Sequence, residues 1–225
     1  IGTGWGGFAV FAARRHGCHV TTVTISREQY EHAVARVREE GLEDQVEVRL
    51  QDYRDVSGRF GKLVSIEMIE AVGPEYLETF LARCGEVLAE DGRMLLQAIV
   101  IDDREYDRAA RSVDFIKRFI FPGAFMPSVH AILAAARRAS DLRLSHLEDI
   151  TPHYARTLAD WRRRFLDRWE EIAPLGFDER FRRMWEFYLC YCEGGFLERR
   201  IGDVQMLLDK PACRRPVPLP RLGGV

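Results

Sequence analysis

The sequence predicts an α/β fold with a doubly wound, mostly parallel sheet. Helix-like and strand-like segments alternate at short spacing over the first hundred residues, as expected for parallel strands joined by helical crossovers. A glycine-rich turn at residues 2–7 (GTGWGG) precedes the first helix, as in folds whose helix N-terminus faces a ligand. Apolar residues make up 47% of the 225 residues, which is enough for one well-buried domain.

The first half of the chain gives clear local signals. Residues 5–16 are rich in Ala and Phe and predict a helix, and residues 19–25 (HVTTVTI) are β-branched and predict a strand. Ser26 and Gln29 have the spacing of a capping box for the next helix, which Gly41 ends. The other elements predicted here are strands at 46–50, 61–66 and 93–101 and an amphipathic helix at 75–88.

The second half breaks this alternation. Residues 102–141 predict a helical insertion on the sheet, and residues 211–225, with their prolines and terminal glycines, predict a flexible tail. One domain over residues 1–210 therefore contains the whole fold. Its remaining predicted elements are strands at 142–147 and 203–209 and helices at 154–171 and 178–193.

Composition excludes several classes of protein. The formal net charge of −2 gives no general attraction to nucleic acid. The part of the chain after residue 100 has more basic than acidic side chains, which fits solvated helix faces or a surface that meets anionic lipid headgroups. The five cysteines have neither CxxC nor zinc spacing, so we predict a cytoplasmic protein without a metal site. No apolar run approaches the ~20 residues that span a bilayer.

The glycine turn alone does not identify a ligand. A nicotinamide enzyme needs an acidic residue at the end of the next strand to hold a ribose. That strand ends at Thr24, Ile25 and Ser26, without a carboxylate. The dinucleotide interpretation is therefore disfavoured, and a glycine turn without a ligand remains the plain alternative.

Seven motifs in order make a more specific case: IGTGWGGFA, VTTVTISREQ, LQDYRD, SIEMIEAVG, GRMLLQAI, RFIFPGAFMPS and LEDITPHYARTLADWRRRF. Together they resemble the cyclopropane fatty acid synthase and mycolic acid methyltransferase family, up to about residue 210. The resemblance implies a class I S-adenosylmethionine-dependent methyltransferase with a seven-stranded, Rossmann-like sheet. Because a glycine turn normally follows a buried strand, we expect the first strand to be largely missing and the chain to be an N-terminally truncated fragment.

The resemblance also implies where the cofactor binds. S-adenosylmethionine would lie on the backbone of the glycine turn, with hydroxyl and amide groups around the adenosine in place of the missing acid. The plain alternatives are that Thr24 ends a strand, that Gln29 belongs to a helix cap and that Asp52 is a turn residue. The implied cofactor-binding residues are Gly2, Gly4, Gly6, Thr24, Gln29 and Asp52.

The family's reaction sets the demands on the rest of the site. An alkene attacks the sulfonium methyl group, a carbocation forms on the acyl chain, and loss of a proton closes a cyclopropane ring. Such a site must align the reactants, exclude water and stabilise positive charge. Aromatic faces and a carboxylate suit this task. In the family, the proton acceptor is a bicarbonate held in a small polar pocket.

The resemblance maps three residues to that pocket. Glu70 is an acid in an otherwise apolar segment after a buried strand, and a buried carboxylate costs energy unless it is used or paired. An exposed first-turn glutamate is the plain alternative, and Glu67 is the rival for the same role. Tyr154 and the backbone of Ile99 match two further anion contacts.

Two positions depart from the family pattern. Gln97 stands where the family commonly has a histidine, and Ala71 replaces another histidine beside Glu70. A glutamine can donate a hydrogen bond to an anion, but it cannot relay a proton. Bicarbonate binding could survive these changes, and a mid-chain methyl or methylene product would also fit.

The aromatic cluster of the insertion predicts the wall of an acyl tunnel, although plain core packing would also explain it. Its implied substrate-binding residues are Phe119, Phe121 and Phe125. We therefore predict a methyltransferase that acts on unsaturated phospholipid acyl chains at the inner membrane surface, either as a monomer or as a homodimer. The alternatives are a methyltransferase for a soluble small molecule and an inactive cofactor-binding paralogue.

Overall fold

The computed structural model describes residues 1–218, which form six strands in two sheets. Strands β1 and β2 pair in parallel, and the other four form a mixed sheet in the order β3-β4-β6-β5. In that sheet β3 and β4 are parallel, whereas β6 is antiparallel to both of its neighbours. The α/β class is confirmed, and each of the six predicted strands is present. The strands are β1 (Val20–Thr24), β2 (Val46–Leu50), β3 (Phe60–Ile66), β4 (Leu88–Ile101), β5 (Arg143–Asp149) and β6 (Ile201–Asp209).

The first three residues lie between the two sheets. The amino group of Ile1 donates to the carbonyl of Val64 in β3 at 2.8 Å. The backbone N–H groups of Gly2 and Thr3 donate to the carbonyl of Val23 in β1, at 3.2 and 2.9 Å. The start of the glycine turn is therefore fixed to the carboxyl-terminal halves of two strands.

Helices cover both sheets. A π-helical turn at Ile116–Ile120 lies within the predicted insertion. The helices are α1 (Gly7–His16), α2 (Arg27–Glu39), α3 (Leu77–Val87), α4 (Tyr106–Arg111), α5 (Val129–Ala139), α6 (Thr151–Asp167), α7 (Trp169–Ile172) and α8 (Glu179–Leu197). Helices α1 and α2 pack on β1 and β2, α3 and α5 pack on the four-stranded sheet, and α6 and α8 pack mainly on each other.

Two apolar clusters support the region of the site. The main core lies between the four-stranded sheet and helices α3 and α5, and includes the fully buried Phe80, Met94 and Met206. A smaller cluster between α6 and α8, the α6–α8 core, consists of Ala155, Leu158, Leu189 and Phe196. Ile99, Tyr154 and Tyr188 pack against this α6–α8 core, which joins it to the end of β4.

The start of the predicted tail is bonded to the sheet. The Arg93 guanidinium pairs with Asp209 and also donates to the carbonyls of Arg215 and Pro216, at 2.9 and 2.8 Å. The last part of that predicted tail, residues 219–225, lies outside the described residues. Among the helices that the structure describes, none is both long and apolar enough to cross a membrane.

Candidate functional site

The glycine turn has a left-handed backbone at Gly2, Gly4 and Gly6, with φ values of 89°, 52° and 81°. Residues other than glycine are strained in this conformation. A Cβ on Gly2 would lie 3.0 Å from Met68, and one on Gly6 would lie 3.2 Å from Ala33, whereas a Cβ on Gly4 would meet nothing within 4 Å. The backbone conformation therefore favours glycine at all three positions, close neighbours favour it further at Gly2 and Gly6, and Gly4 leaves its backbone open to a ligand.

Thr24 and Gln29 meet beside this turn. The Thr24 hydroxyl donates to Gln29 Oε1 at 2.9 Å and accepts from the Ser26 N–H at 3.1 Å. Ser26 Oγ accepts from the Gln29 N–H at 3.2 Å, so one half of the predicted capping box forms. The other half would require the Gln29 side chain to accept from the Ser26 N–H. The Thr24 hydroxyl already accepts from that N–H, so the Gln29 side chain contacts Thr24 instead.

Asp52 lies just after β2, next to Thr24. The N–H of Gln51 donates to the Thr24 carbonyl at 2.9 Å, which holds the two strand ends together. Both oxygens of Asp52 bind the Arg54 guanidinium, at 3.0 and 2.7 Å. This guanidinium lowers the pKa of Asp52, so the carboxylate stays ionised. The glycine turn, Thr24 and Asp52 thus share the carboxyl edge of β1 and β2, where α/β sheets bind ligands.

A second polar group begins where β3 ends. Glu67 directly follows β3 with a φ of 49°, unusual for a residue other than glycine. Glu70 lies in the next turn, a 3-10 turn at Ile69–Ala71. Met68, between the two acids, is the residue that packs against Gly2. The segment that carries both acids therefore contacts the glycine turn through Met68.

Glu70 is a half-buried carboxylate with one unpaired oxygen. Its Oε1 accepts from the backbone N–H of Ile99 at 2.6 Å. Its Oε2 is buried and has no hydrogen-bond partner among residues 1–218. Burial away from water raises the pKa of Glu70 to about 7. The predicted neighbours Glu70 and Ile99 are thus brought together, and one oxygen remains free for another group.

Gln97 and Tyr154 hold the other acid, Glu67. The amide Nε2 of Gln97 donates to Glu67 Oε1 at 3.0 Å and to Asp203 Oδ2 at 2.9 Å. The amide of Gln205 donates to Gln97 Oε1 at 2.9 Å, which fixes the orientation of the Gln97 side chain. The Tyr154 hydroxyl donates to Glu67 Oε2 at 2.7 Å. Both donors thus contact Glu67 rather than Glu70.

Asp203 is a site residue that sequence reasoning missed. The antiparallel register places Asp203 opposite Ile99 and Gln205 opposite Gln97, so these residues share one face of the sheet. Asp203 is fully buried. Burial, followed by the charges of Glu67 and Glu70, raises its pKa to about 8. The available sequence signal was an acid at the start of an apolar strand.

The predicted substrate-binding phenylalanines lie in two different environments. Phe119 and Phe121 are 52% and 50% exposed, whereas Phe125 is 3% exposed and belongs to the main core. The ring of Phe121 lies 5.9 Å from Tyr188, which itself packs on the α6–α8 core. Aromatic rings therefore connect the half-exposed surface of the insertion to the core that supports Tyr154.

The comparison with family models gives a match to the mycolic acid cyclopropane synthetase family over residues 1–206. The chain is 42% identical over 196 residues to the tuberculostearic acid methyltransferase UfaA1 of Mycobacterium tuberculosis, covering 87% of this chain and 46% of that protein. It is 38% identical over 211 residues to the cyclopropane-fatty-acyl-phospholipid synthase of Escherichia coli K12, covering 93% and 52%. The chain thus spans about half the length of these relatives.

Solved structures agree with this match. The cyclopropane synthase MmaA2 from Mycobacterium tuberculosis superposes with a TM-score of 0.85 at 25% identity, covering 93% of this chain and 76% of that one. The mycolic acid cyclopropane synthase CmaA1, in complex with SAH and CTAB, gives the same TM-score and coverage. This chain therefore belongs to the mycolic acid cyclopropane synthetase family and has the fold of the S-adenosylmethionine-dependent methyltransferases.

Proposed function

We propose that the protein transfers a one-carbon unit from S-adenosylmethionine to the cis double bond of a phospholipid acyl chain, giving a cyclopropane fatty acid. The observation that carries this proposal is Glu70, a half-buried carboxylate with an unpaired oxygen, on the segment whose Met68 contacts Gly2. Such a group stabilises positive charge in a site that holds little water. Membership of the family and the similarity to the Escherichia coli synthase support the same conclusion.

The residues present fit S-adenosylmethionine. Gly4 offers open backbone, and the paired side chains of Thr24 and Gln29 offer hydrogen-bonding groups next to it. Asp52 adds an acceptor at the same edge of the sheet. When bound, the cofactor supplies an electrophilic methyl carbon on a sulfonium. Glu70 contributes negative charge that stabilises the cation once it develops on the acyl chain.

The same residues do not fit a bound bicarbonate. Each donor that the resemblance assigns to that anion already donates to a carboxylate of this chain: Ile99 to Glu70, and both Gln97 and Tyr154 to Glu67. An added anion would find these donors occupied and would be repelled by the carboxylates around it. No step is therefore assigned to bicarbonate.

Gly4→Ala tests the cofactor site. We expect it to weaken S-adenosylmethionine binding about tenfold, because the added methyl group occupies space that the ligand needs. Gly17→Ala is the matched control, since Gly17 also has a left-handed backbone and open space around it but ends α1 away from the turn. Both variants carry a similar backbone cost of about 1 kcal/mol. Calorimetric titration with the cofactor makes the comparison, and equal affinities of the two variants would contradict the assignment.

Phe121→Ser tests the route of the acyl chain. We expect kcat/KM on lipid vesicles to fall about tenfold. Serine removes most of the apolar area that the phenylalanine would bury against an acyl chain. Folding stability should change little, because the ring is half exposed. Phe11→Ser is the control, as Phe11 is 56% exposed on α1. Equal losses in both variants would remove Phe121 from the substrate path.

A methyl- or methylene-branched product is the second candidate. The relative at 42% identity is a tuberculostearic acid methyltransferase rather than a cyclopropane synthase. In this chain Gln97, which cannot relay a proton, stands at the centre of the polar network. The cyclopropane and methylene products share the transfer to the double bond and differ only in how the cation loses its proton, whereas a saturated methyl branch also requires a separate two-electron reductant.

One assay tests the proposed function. The purified protein is incubated with S-adenosylmethionine and vesicles of phospholipid with either cis-monounsaturated or fully saturated chains. We expect S-adenosylhomocysteine to be released with the unsaturated lipid alone, because only this lipid offers a nucleophilic double bond. Equal release with both lipids, or release only with a water-soluble acceptor, would contradict the proposal.

A further inference from the structure

We propose that Glu67 is the proton acceptor of this protein, a carboxylate of the chain that takes the place of an external anion. The inference rests on the proposed function, because it assigns the group that removes the proton after methyl transfer. Its direct consequence is that the reaction proceeds without bicarbonate.

Two neutral donors hold the carboxylate of Glu67. Its two oxygens bind two different donors, Tyr154 at 2.7 Å and Gln97 at 3.0 Å. These are two of the side chains expected to hold a small oxyanion in this pocket. A carboxylate has the shape and charge of bicarbonate around its two oxygens, so Glu67 satisfies both donors without a ligand. Each oxygen keeps a second lone pair with which to accept a proton.

The backbone of Glu67 is left-handed. A φ of 49° costs a side-chain-bearing residue about 1 kcal/mol relative to glycine. Strain of this kind persists where the surrounding structure fixes it, and it concentrates at functional sites. Glycine would avoid this cost, so the carboxylate itself accounts for a glutamate at this position.

Three acidic side chains, Glu67, Glu70 and Asp203, lie close together in this pocket. Burial raises the pKa of Glu67, which makes it a stronger base than an exposed glutamate. Glu70 and Asp203 lie close enough for the charge of Glu67 to raise the pKa of each. A free anion would be a fourth acidic group beside Glu67, Glu70 and Asp203, and these groups would repel it. Glu67, by contrast, is held in this space by the chain itself.

The proposed step conserves atoms and electrons. A C–H bond of the newly transferred carbon breaks, and its proton passes to a carboxylate oxygen of Glu67. The electron pair of that bond forms the new C–C bond of the ring. For a methylene product, a 1,2-hydride shift first moves the cation to the carbon that carries the new methyl group, and the electron pair then forms the double bond. Glu67, now protonated, returns the proton to water when the site opens.

Two variants and one control test this inference. Glu67→Gln is expected to reduce turnover about 100-fold, as for loss of a general base. Glu67→Gly removes the backbone strain and opens the space, so bicarbonate should raise its turnover at least about tenfold. Wild-type turnover should be the same in bicarbonate-free and bicarbonate-containing buffer. Glu70→Gln is the control, because added bicarbonate should not restore it.

A binding measurement separates this inference from the proposed function. Carbon-13 NMR with labelled bicarbonate should show binding to Glu67→Gly and none to the wild type. Equal binding to both, or wild-type turnover that depends on bicarbonate, would overturn the inference while the proposed function stands. If the wild type modifies no acyl lipid, the proposed function fails, and the NMR comparison still decides whether Glu67 occupies the place of the anion.

Discussion

Glu70→Gln is expected to lower turnover about 100-fold or more while cofactor binding hardly changes. The substitution keeps the size of the side chain and its acceptor for the Ile99 N–H, but removes the negative charge on the unpaired oxygen. That charge is needed only when a cation develops on the acyl chain, so its loss affects the transition state more than the ground state. Single-turnover rates and cofactor titrations of the two proteins measure both effects.

Glu75→Gln provides the matched control for this experiment. Glu75 is an exposed acid five positions further along the same segment. We expect its substitution to leave turnover within about twofold of the wild type, because a solvated charge contributes little at a distance. Wild-type turnover in Glu70→Gln would remove Glu70 from the site.

Asp203→Asn is expected to change how stability depends on pH. The pKa of Asp203 lies near 8 in the folded protein, against 3.8 for an unperturbed aspartate. The folded state therefore binds a proton that the unfolded state has lost, and the free energy of unfolding falls as pH rises from about 4 to about 8. Removing this acid should flatten the decline, so the free energy of unfolding of Asp203→Asn should rise relative to that of the wild type as the pH increases to 8.

Asp209→Asn is the control of opposite sign, because the Arg93 guanidinium lowers the pKa of Asp209 at the other end of β6. The stability that this pair contributes is present at pH 8 and is lost as the pH falls through the depressed pKa. Asp209→Asn should therefore be less stable than the wild type at pH 8. Urea unfolding at pH 5 and pH 8 compares the three proteins, and an unchanged pH slope in Asp203→Asn would contradict the assigned pKa.

The elements could be predicted because their signals are local. The β-branched run at β1 and the capping residues of α2 depend only on near neighbours in the chain. Strand β4 shows the limit of such signals, since it begins at Leu88 rather than at the predicted residue 93. Gly92 permits this extension, because a Cβ there would lie 2.9 Å from the carbonyl of Ala89. The irregular register with β3, in which Phe60 pairs with Leu88 and Lys62 with Arg93, joins residues that are far apart in the chain, so no local pattern reveals it.

The motifs indicated candidate residues for the site, but not the hydrogen bonds between them. The motifs indicated Glu70, Ile99, Gln97 and Tyr154, and the structure places all of them around one group of carboxylates. The partner of Tyr154 is Glu67, which sequence reasoning held only as a rival of Glu70. Its role depends on a left-handed backbone and on the register of β4 with β6. Both are set by long-range packing, which a sequence pattern does not encode.

The most direct measurement of the central claim uses S-adenosylmethionine with a fully deuterated methyl group. The purified protein is given phospholipid with a cis double bond, and the acyl chains are analysed by mass spectrometry. We expect the chain to gain one carbon that keeps two of the three deuterium atoms, because one deuteron is lost when the cation is quenched. Acyl chains without label, or a product that keeps all three deuterium atoms, would contradict the account.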